Sequence, residues 1–260
     1  MSGDFLIAVK GSLRRGTYLC PMGKRALIIG ASSGLGRCLA ERLAADGWTV
    51  GLAARREPLL REIAAARPGA FRYAVADVTL PEKAVPALEG LSERMGGFDL
   101  CIVTAGAGEL NPRLDFGLER PAVYTNVVGW TAAVCWAYGR LERQGGGHLV
   151  LVTSVGGLRG SDAAPAYNAS KAYQMNYAEG LRRKAAKSGV PVVVTDIRPG
   201  LVATATAKGE GLFWVMPPEK AAGQIVRALR RRKRTAVVTR RWRIAAWLLR
   251  RLPGWLYLRM

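Results

Sequence analysis

Tyr167 and Lys171 are the residues of this sequence whose types and spacing most directly suggest acid–base chemistry. Four residues apart on a helix, two side chains lie on the same face, one above the other. An ammonium group near a phenol favours the phenolate, so it lowers the pKa of the tyrosine from about 10 toward neutral pH. Such a tyrosine can exchange a proton with a carbonyl or alcohol oxygen. A solvated Tyr–Lys pair on a surface helix also fits, so the surrounding elements must decide.

A glycine-rich turn between a strand and a helix lies near the start of the chain. The apolar run at 26–29 predicts a buried parallel strand, and an amphipathic helix is predicted through Asp46. Gly30, Gly34 and Gly36 lie between them at the spacing that permits a tight turn, approach to a pyrophosphate and close helix–strand packing. The helix N-terminus would present free N–H groups to the anion. This context predicts a dinucleotide site, with an ordinary glycine turn as the alternative.

The end of the second predicted strand, Trp48 to Ala54, bears on which dinucleotide is bound. NAD-binding proteins place an acidic residue there to hold the ribose 2′-hydroxyl. This chain instead has Arg55 and Arg56, whose guanidinium groups match the geometry of a phosphate. The sequence therefore favours NADP(H) over NAD(H). A solvated helix start is the alternative, although an arginine at a helix N-terminus opposes the dipole.

Strands and helices alternate along the remainder of the chain. Strands are predicted at 71–76, 98–104, 148–154, 190–196 and 235–239, with helices at 81–95, 112–142, 164–188 and 219–232. The alternation predicts an α/β fold: a Rossmann-type doubly wound parallel sheet of about seven strands with helices on both faces, spanning residues 24–239. Ligands bind at the carboxyl ends of such strands, so the residues there should share one edge of the sheet. They are Ser32, Asp77, Ala105, Ser154 and Pro199.

Together these motifs resemble the short-chain dehydrogenase/reductases over about residues 24–239. The resemblance rests on the order and spacing of thirteen residues: Gly30, Gly34, Gly36, Asp77, Ala105, Gly106, Asn126, Ser154, Tyr167, Lys171, Pro199, Gly200 and Thr204. Thr104 departs from the asparagine that the family often has before Ala-Gly. Since threonine also forms hydrogen bonds, we expect only a local change in how that strand end is held.

The resemblance implies a catalytic set of Asn126, Ser154, Tyr167 and Lys171. Tyr167 would donate the proton in reduction and accept it in oxidation, while Lys171 would lower its pKa and hold the nicotinamide ribose. Ser154 would orient the substrate oxygen. Asn126 would kink its helix and hold a water that relays protons to Lys171. The implied NADP(H) contacts are Gly30, Ser32, Ser33, Gly34, Leu35, Gly36, Arg55, Arg56, Asp77, Val78, Ala105, Gly106, Asn126, Tyr167, Lys171, Pro199, Gly200, Val202 and Thr204.

The net charge of +20 predicts attraction to an anionic partner, and the charge is concentrated near the C-terminus. Residues 227–260 contain twelve basic side chains and no acidic ones. Over 240–260, which we term the C-terminal tail, arginines on one helical face oppose tryptophan and leucine on the other, as in helices lying in a membrane surface. The alternative is that the apolar face packs on the domain or on a second subunit. Nucleic acid is a poorer match, because no recognised motif appears and tryptophans alternate with leucine.

Other stretches add expectations about substrate and location. The segment from Ala205 to Met216 carries apolar residues that suit either a lid over an apolar substrate or a core or subunit interface. Residues 1–23 are interpreted as an N-terminal extension. It would be a flexible basic arm, a weak membrane contact, or the result of a start site assigned too far upstream.

The uncharged stretch from Pro121 to Gly139 predicts a buried helix. One histidine, His148, and cysteines without C-x-x-C spacing predict no metal site and small core cysteines in a reducing compartment.

These features favour an NADPH-dependent reductase of an apolar, lipid-like ketone, or the reverse alcohol dehydrogenase. It would be cytoplasmic, peripheral on the inner membrane face, and a homodimer or homotetramer as the resemblance implies. The alternative is a non-catalytic NADP-binding scaffold acting as a membrane- or polyanion-interaction module. Use of the fold for epimerisation or dehydration is a third interpretation.

Overall fold

The computed structural model of the chain describes residues 24–204 and 213–259, so the expectations for residues 1–23 and for 205–212 lie outside it. Seven parallel strands form one sheet in the order β3-β2-β1-β4-β5-β6-β7. The strands are β1 (Arg25–Ile29), β2 (Thr49–Ala54), β3 (Phe71–Val75), β4 (Leu100–Val103), β5 (Gly147–Val152), β6 (Val192–Pro199) and β7 (Thr235–Val238). The predicted doubly wound α/β fold is confirmed.

Helices cover both faces of the sheet, as short apolar strands require when neither face is wet. They are α1 (Gly34–Ala45), α2 (Glu57–Ala65), α3 (Pro81–Arg94), α4 (Phe116–Val123), α5 (Trp130–Arg143), α6 (Pro165–Ser188), α7 (Pro218–Arg230), α8 (Arg240–Arg251) and α9 (Gly254–Tyr257). Successive residues of β1 point to opposite faces: Ile28 packs with α1, α2 and α7, while Leu27 packs with α3, α5 and α6. Two apolar cores therefore fix the sheet that carries the site.

The predicted helix at 112–142 is wrong as one continuous element. It divides into α4, a π-helical turn at Tyr124–Gly129, and α5. Pro121 lacks an N–H for the ladder, and Gly129 packs so closely on β3's continuation that a Cβ there would lie 2.0 Å from the carbonyl oxygen of Val78. The π-helical turn places Asn126 in the interior, fully buried.

Two other strand predictions differ from the structure. β4 is shorter than the predicted 98–104, and β6 continues through Pro199 where a loop was expected after 196. β6 is longer because β7 pairs with it in parallel as far as Pro199 opposite Val238.

The cysteines that the structure describes differ in their exposure. Cys101 is buried and Cys38 is half-buried, but Cys135 is exposed and does not fit the predicted core role.

The described part of the C-terminal tail folds back onto the sheet. Trp242 and Ala246 of α8 are buried against Val155, which begins a short 3-10 turn after β5. Arg159 donates from Nε to the carbonyl oxygen of Leu249 (3.0 Å) and from Nη2 to that of Leu252. One face of the tail is thus packed on the domain, which was the alternative to a purely membrane-bound helix.

The described helices are each too short or too polar to cross a bilayer. The uncharged stretch from Pro121 to Gly139 lies in α4, the π-helical turn and α5, and its largest side chain, Trp130, is fully buried. The predicted buried helix is confirmed only in part, because the π-helical turn interrupts it and Val123, Tyr124 and Val128 are exposed.

His148 makes the stability of the fold sensitive to acid. Its Nε2 lies 2.8 Å from the hydroxyl of Thr195, and burial, together with the nearby Arg232, lowers the pKa of His148 from 6.5 to about 4. Between those values the unfolded chain binds more protons than the folded chain, so stability should rise as pH rises from 4 to 6.5. We expect an NMR titration of the single histidine to show a midpoint near 4. A midpoint near 6.5 would contradict this assignment.

Candidate active site

A cleft of about 1480 Å³ follows the carboxyl ends of the strands. The five strand-end residues expected to share one edge all line it: Ser32, Asp77, Ala105, Ser154 and Pro199. Of the predicted site residues, all reach its wall except Gly36 and Asn126, which lie behind it. The parallel sheet therefore gathers residues from five separate chain segments into a single depression, as open α/β sheets do.

The glycine turn after β1 is built by close backbone contact. Gly30 has φ of +97°, which favours glycine, and a Cβ on Gly36 would lie 2.1 Å from the carbonyl oxygen of Gly30. Thr104 donates its hydroxyl to the carbonyl oxygens of Ile29 (3.0 Å) and Gly30 (3.1 Å), so the strand end is held by hydrogen bonds as expected. Gly36 thus contributes packing, and the backbone of the turn stays open to the cleft.

Basic and hydroxyl groups meet where β2 ends. Arg56 donates from Nη2 to the hydroxyls of Ser32 (2.9 Å) and Ser33 (2.6 Å), and Arg55 is exposed on the cleft wall. Ser33 precedes α1 in an extended conformation and leaves its own side chain free of a capping bond to that helix. Two guanidinium groups, two hydroxyls and a helix N-terminus provide the donors that a phosphate monoester needs.

The carboxylate of Asp77 is held in place after β3. It accepts hydrogen bonds from the backbone N–H of Thr79 (3.0 Å) and from its hydroxyl (2.7 Å), both at Oδ1. The other carboxylate oxygen, Oδ2, is not used in these two bonds. Asp77 and Val78 both line the cleft.

Tyr167 projects from α6 into the cleft beside Ser154, at the end opposite to Arg55 and Arg56. Burial raises the pKa of Tyr167, and its hydrogen bond with Ser154 opposes that rise. Ser154 Oγ also accepts from the backbone N–H of Gly156 (3.0 Å), which fixes the hydroxyl. The Lys171 ammonium lies 5.7 Å from the Tyr167 ring centroid, and burial is the larger influence on the pKa of Tyr167 in this structure. The expected lowering of that pKa by Lys171 stays a prediction.

Lys171 is buried, and its ammonium is held by neutral acceptors. It donates to Gln174 Oε1 (3.0 Å) and to the carbonyl oxygen of Val152 (3.4 Å). Burial lowers the pKa of Lys171 to about 8, with the carboxylate of Asp196 acting in the opposite direction. Asp196 is itself bonded to Arg198 Nε at 2.7 Å. Lys171 therefore titrates close to physiological pH.

Asn126 is fixed by hydrogen bonds to the chain, and its expected role as holder of a relay water stays a prediction. Its side chain bridges Ala107, accepting from the N–H at 2.8 Å and donating to the carbonyl oxygen at 2.7 Å, and it also donates to Ser170 Oγ (2.9 Å). The Asn126 carbonyl oxygen accepts from Gln174 Nε2 at 2.9 Å. The side chain of Gln174 thus connects the backbone carbonyl of Asn126 to the ammonium of Lys171. Asn126 fixes the strand end after β4.

Sequence reasoning missed Gln174 and Trp242. Gln174 is fully buried three residues after Lys171, so the facing of positions i and i+3 on a helix could have revealed it. Trp242 lines the cleft from α8, together with Leu249. Helical periodicity places Trp242 on the apolar face of α8, away from Trp247, but it does not show that this face meets the cleft, because that depends on how α8 docks.

A doubly wound parallel sheet, a glycine turn for a dinucleotide and a Ser–Tyr–Lys set in one cleft define a nicotinamide-dependent oxidoreductase of the Rossmann type. A family profile described as "short chain dehydrogenase" matches residues 24–211. The chain belongs to the short-chain dehydrogenase family and is an NAD(P)-dependent oxidoreductase.

Known proteins agree with this assignment. An uncharacterized oxidoreductase of Mycobacterium tuberculosis is 34% identical over 225 residues, covering 83% of this chain and 88% of that protein. An uncharacterized oxidoreductase of Myxococcus xanthus is 38% identical over 184 residues, covering 69% and 72%. The solved structure of a short-chain dehydrogenase from Streptomyces avermitilis matches with a TM-score of 0.76 at 25% identity, over 88% of this chain and 92% of that one. Actinorhodin polyketide ketoreductase, solved with NADPH, shares the fold (TM-score 0.70, 24% identity, covering 79% and 89%).

Proposed function

We propose that this protein is an NADPH-dependent reductase of a ketone on an apolar, lipid-like substrate, or an alcohol dehydrogenase in the reverse direction. The carrying observation is that one cleft has an acid–base tyrosine at one end and a pair of guanidinium groups at the other. The first end suits a carbonyl oxygen, and the second suits a dinucleotide phosphate.

The residues of the chain divide the work of the reaction. NADPH, when bound along the strand ends, supplies the hydride. Ser154 donates its hydroxyl to the substrate oxygen and orients it, and Tyr167 delivers the proton to that oxygen. At neutral pH the phenol of Tyr167 is in the protonated form, which is the form that donates a proton in reduction. The Lys171 ammonium stabilises the phenolate that remains after the proton has left.

The preference for NADPH follows from Arg55 and Arg56, and we assign the 2′-phosphate to them with Ser32 and Ser33. Replacing Arg55 by alanine removes an exposed guanidinium from the cleft wall, so we expect the Kd of NADPH to rise at least about tenfold. The Kd of NADH should change less than about twofold, since NADH has no phosphate at this position. Fluorescence titration of both cofactors measures the difference. Arg67→Ala, at another exposed arginine, is the control, and equal losses for NADPH and NADH would contradict the assignment.

The outward face of the tail supports association with an anionic membrane on the cytoplasmic side. Ile244, Trp247 and Trp255 are 66%, 55% and 63% exposed, and Arg251 lies over the Trp247 ring at 4.4 Å. Exposed tryptophan and isoleucine among arginines suit the interface between headgroups and acyl chains. Polybasic segments gain about 1 kcal/mol per residue near anionic lipid, which is enriched on the cytoplasmic leaflet.

Assembly as a homodimer or homotetramer belongs to the same proposal. Val123, Tyr124 and Val128 around the π-helical turn and Tyr173 on α6 are large apolar side chains with 36% to 50% of their surface exposed. A second copy of the chain covering them would remove this surface from water.

The experiment that tests the proposed function is an NADPH-oxidation screen of ketones graded by chain length, with and without anionic liposomes. We expect activity to increase with the apolar length of the ketone. Strong liposome binding without turnover of any ketone would instead favour a non-catalytic interaction module. Turnover only in epimerisation or dehydration assays would favour the third use of the fold.

A further inference from the structure

α8 places its tryptophans on opposite sides. Trp242 is 8% exposed and lies over Gly200, where a Cβ would fall 2.1 Å from the indole ring. Trp247, five residues later, is 55% exposed and faces away from the domain. Only the first of the two lines the cleft. The tail therefore contributes a wall to the active site as well as an outer surface.

Trp242 belongs to an aromatic cluster with Phe213 and Trp214. The Phe213 ring stacks on it with centroids 5.5 Å apart and planes 22° apart, and the Trp214 ring meets it edge-on at 6.1 Å. Phe213 is 57% exposed and Trp214 is 44% exposed, so the cluster retains aromatic surface that another apolar group can cover. Flat aromatic faces favour flat apolar partners, through contact area and offset stacking.

The indole N–H of Trp242 is buried and has no hydrogen-bond acceptor among residues 24–204 and 213–259. A buried donor left unpaired destabilises the fold, and a hydrogen bond from it to a ligand oxygen would remove that cost. Trp242 lies beside Gly200 and Leu201, at the end of the cleft that follows β6. An apolar wall with one unpaired donor is the usual composition of a small-molecule site.

We propose that Trp242, backed by the rings of Phe213 and Trp214, forms the substrate-recognition wall of the active site and selects ketones with a flat, apolar ring system. The Trp242 N–H donates to a second oxygen of such a substrate. The inference rests on the proposed function and narrows it, because it names the substrate class and the residues that select it. It also gives the C-terminal tail an inward role that does not depend on lipid.

The test compares kcat/KM of the full chain for 2-acetylnaphthalene, 6-methoxy-2-acetylnaphthalene and 2-butanone, without liposomes. The wild type should prefer the naphthyl ketones. Trp242→Ala should reduce their kcat/KM by at least about 30-fold and that of 2-butanone by less than about threefold, since only the ring system contacts the wall. Trp242→Phe keeps a flat ring and removes the N–H, so it should lower kcat/KM by about tenfold for the methoxy ketone alone.

Two further variants separate loss of substrate recognition from a general disturbance of the tail. Phe213→Ala removes the ring that stacks on Trp242 while leaving every residue of α8 unchanged, and should reduce kcat/KM for the naphthyl ketones by about tenfold. Leu248→Ala truncates an exposed side chain of α8, 52% exposed, and should leave all three substrates unchanged.

Four outcomes would overturn the inference: no wild-type preference for naphthyl ketones, equal losses for every substrate in Trp242→Ala and Phe213→Ala, no substrate-dependent loss in Trp242→Phe, or a raised Kd for NADPH in Trp242→Phe. The last would assign the N–H to the cofactor. Absence of turnover with every ketone would instead overturn the proposed function, so the two failures are distinguishable.

Discussion

Replacing Tyr167 by phenylalanine should reduce kcat for ketone reduction by about 10²- to 10⁴-fold. The substitution removes one hydroxyl and leaves the ring beside Ser154, so the proton donor is lost while the cleft keeps its shape. NADPH should still bind with a Kd within about threefold of the wild type, because the remaining cofactor contacts stay. Single-turnover kinetics with a reducible ketone and fluorescence titration with NADPH measure the two quantities separately.

Tyr173→Phe is the matched control for this substitution. Tyr173 lies on the same helix, and its hydroxyl bonds to Thr131 at 2.8 Å, away from the cleft. Its loss should leave kcat within about twofold of the wild type. A Tyr167→Phe variant that kept a tenth or more of the wild-type kcat would rule out Tyr167 as the main proton donor.

Substitutions at Gln174 should move the alkaline limb of the pH–rate profile in opposite directions. Gln174→Leu removes the acceptor at 3.0 Å from Lys171 Nζ, so the pKa of Lys171 falls further below about 8 and the limb moves to lower pH. Gln174→Glu places a carboxylate there, so the pKa rises and the limb moves to higher pH. We expect shifts of about one pH unit and, for the leucine variant, a kcat at pH 8 lower by about fivefold. Profiles of kcat against pH measure both.

Opposite shifts of the alkaline limb in the two Gln174 variants distinguish an effect on the charge of Lys171 from simple damage to the fold. Gln144→Leu is the control, because Gln144 Nε2 donates to the carbonyl oxygen of Phe98 (2.6 Å) outside the cleft. That variant should lose stability without moving the profile. Shifts in the same direction for Gln174→Leu and Gln174→Glu would mean that Gln174 does not set the charge of Lys171.

The sheet and the position of the cleft could be predicted from the sequence because both depend on local patterns. Apolar runs of strand length alternate with helical periodicity, and Gly30 and Gly36 occur where a close turn is needed. That residues at successive strand ends lie close together can then be predicted without any knowledge of side-chain packing. The same logic failed at 112–142, since helical periodicity does not show where Gly129 must press against a neighbouring carbonyl.

The electrostatics of the site could not be predicted from spacing alone. Tyr167 and Lys171 are four residues apart, which indicates attraction between phenolate and ammonium, but burial decides the direction of the tyrosine pKa. Depth in the fold is a tertiary property. The tail shows the same limit, because its amphipathic pattern fits both a domain face and a lipid face. In the structure Trp242 of the tail packs on the domain, whereas Trp247 stays exposed.

The two ends of the cleft come from different parts of the chain, and this arrangement has an evolutionary consequence. The phosphate end and the proton-transfer residues lie within 24–204, inside the stretch that matches the family, whereas Trp242 and Leu249 lie beyond it. Under the proposed role of Trp242, mutations in the tail would change which substrate is selected and leave the residues for hydride and proton transfer unaltered. New substrate ranges would then arise from drift in a short terminal segment.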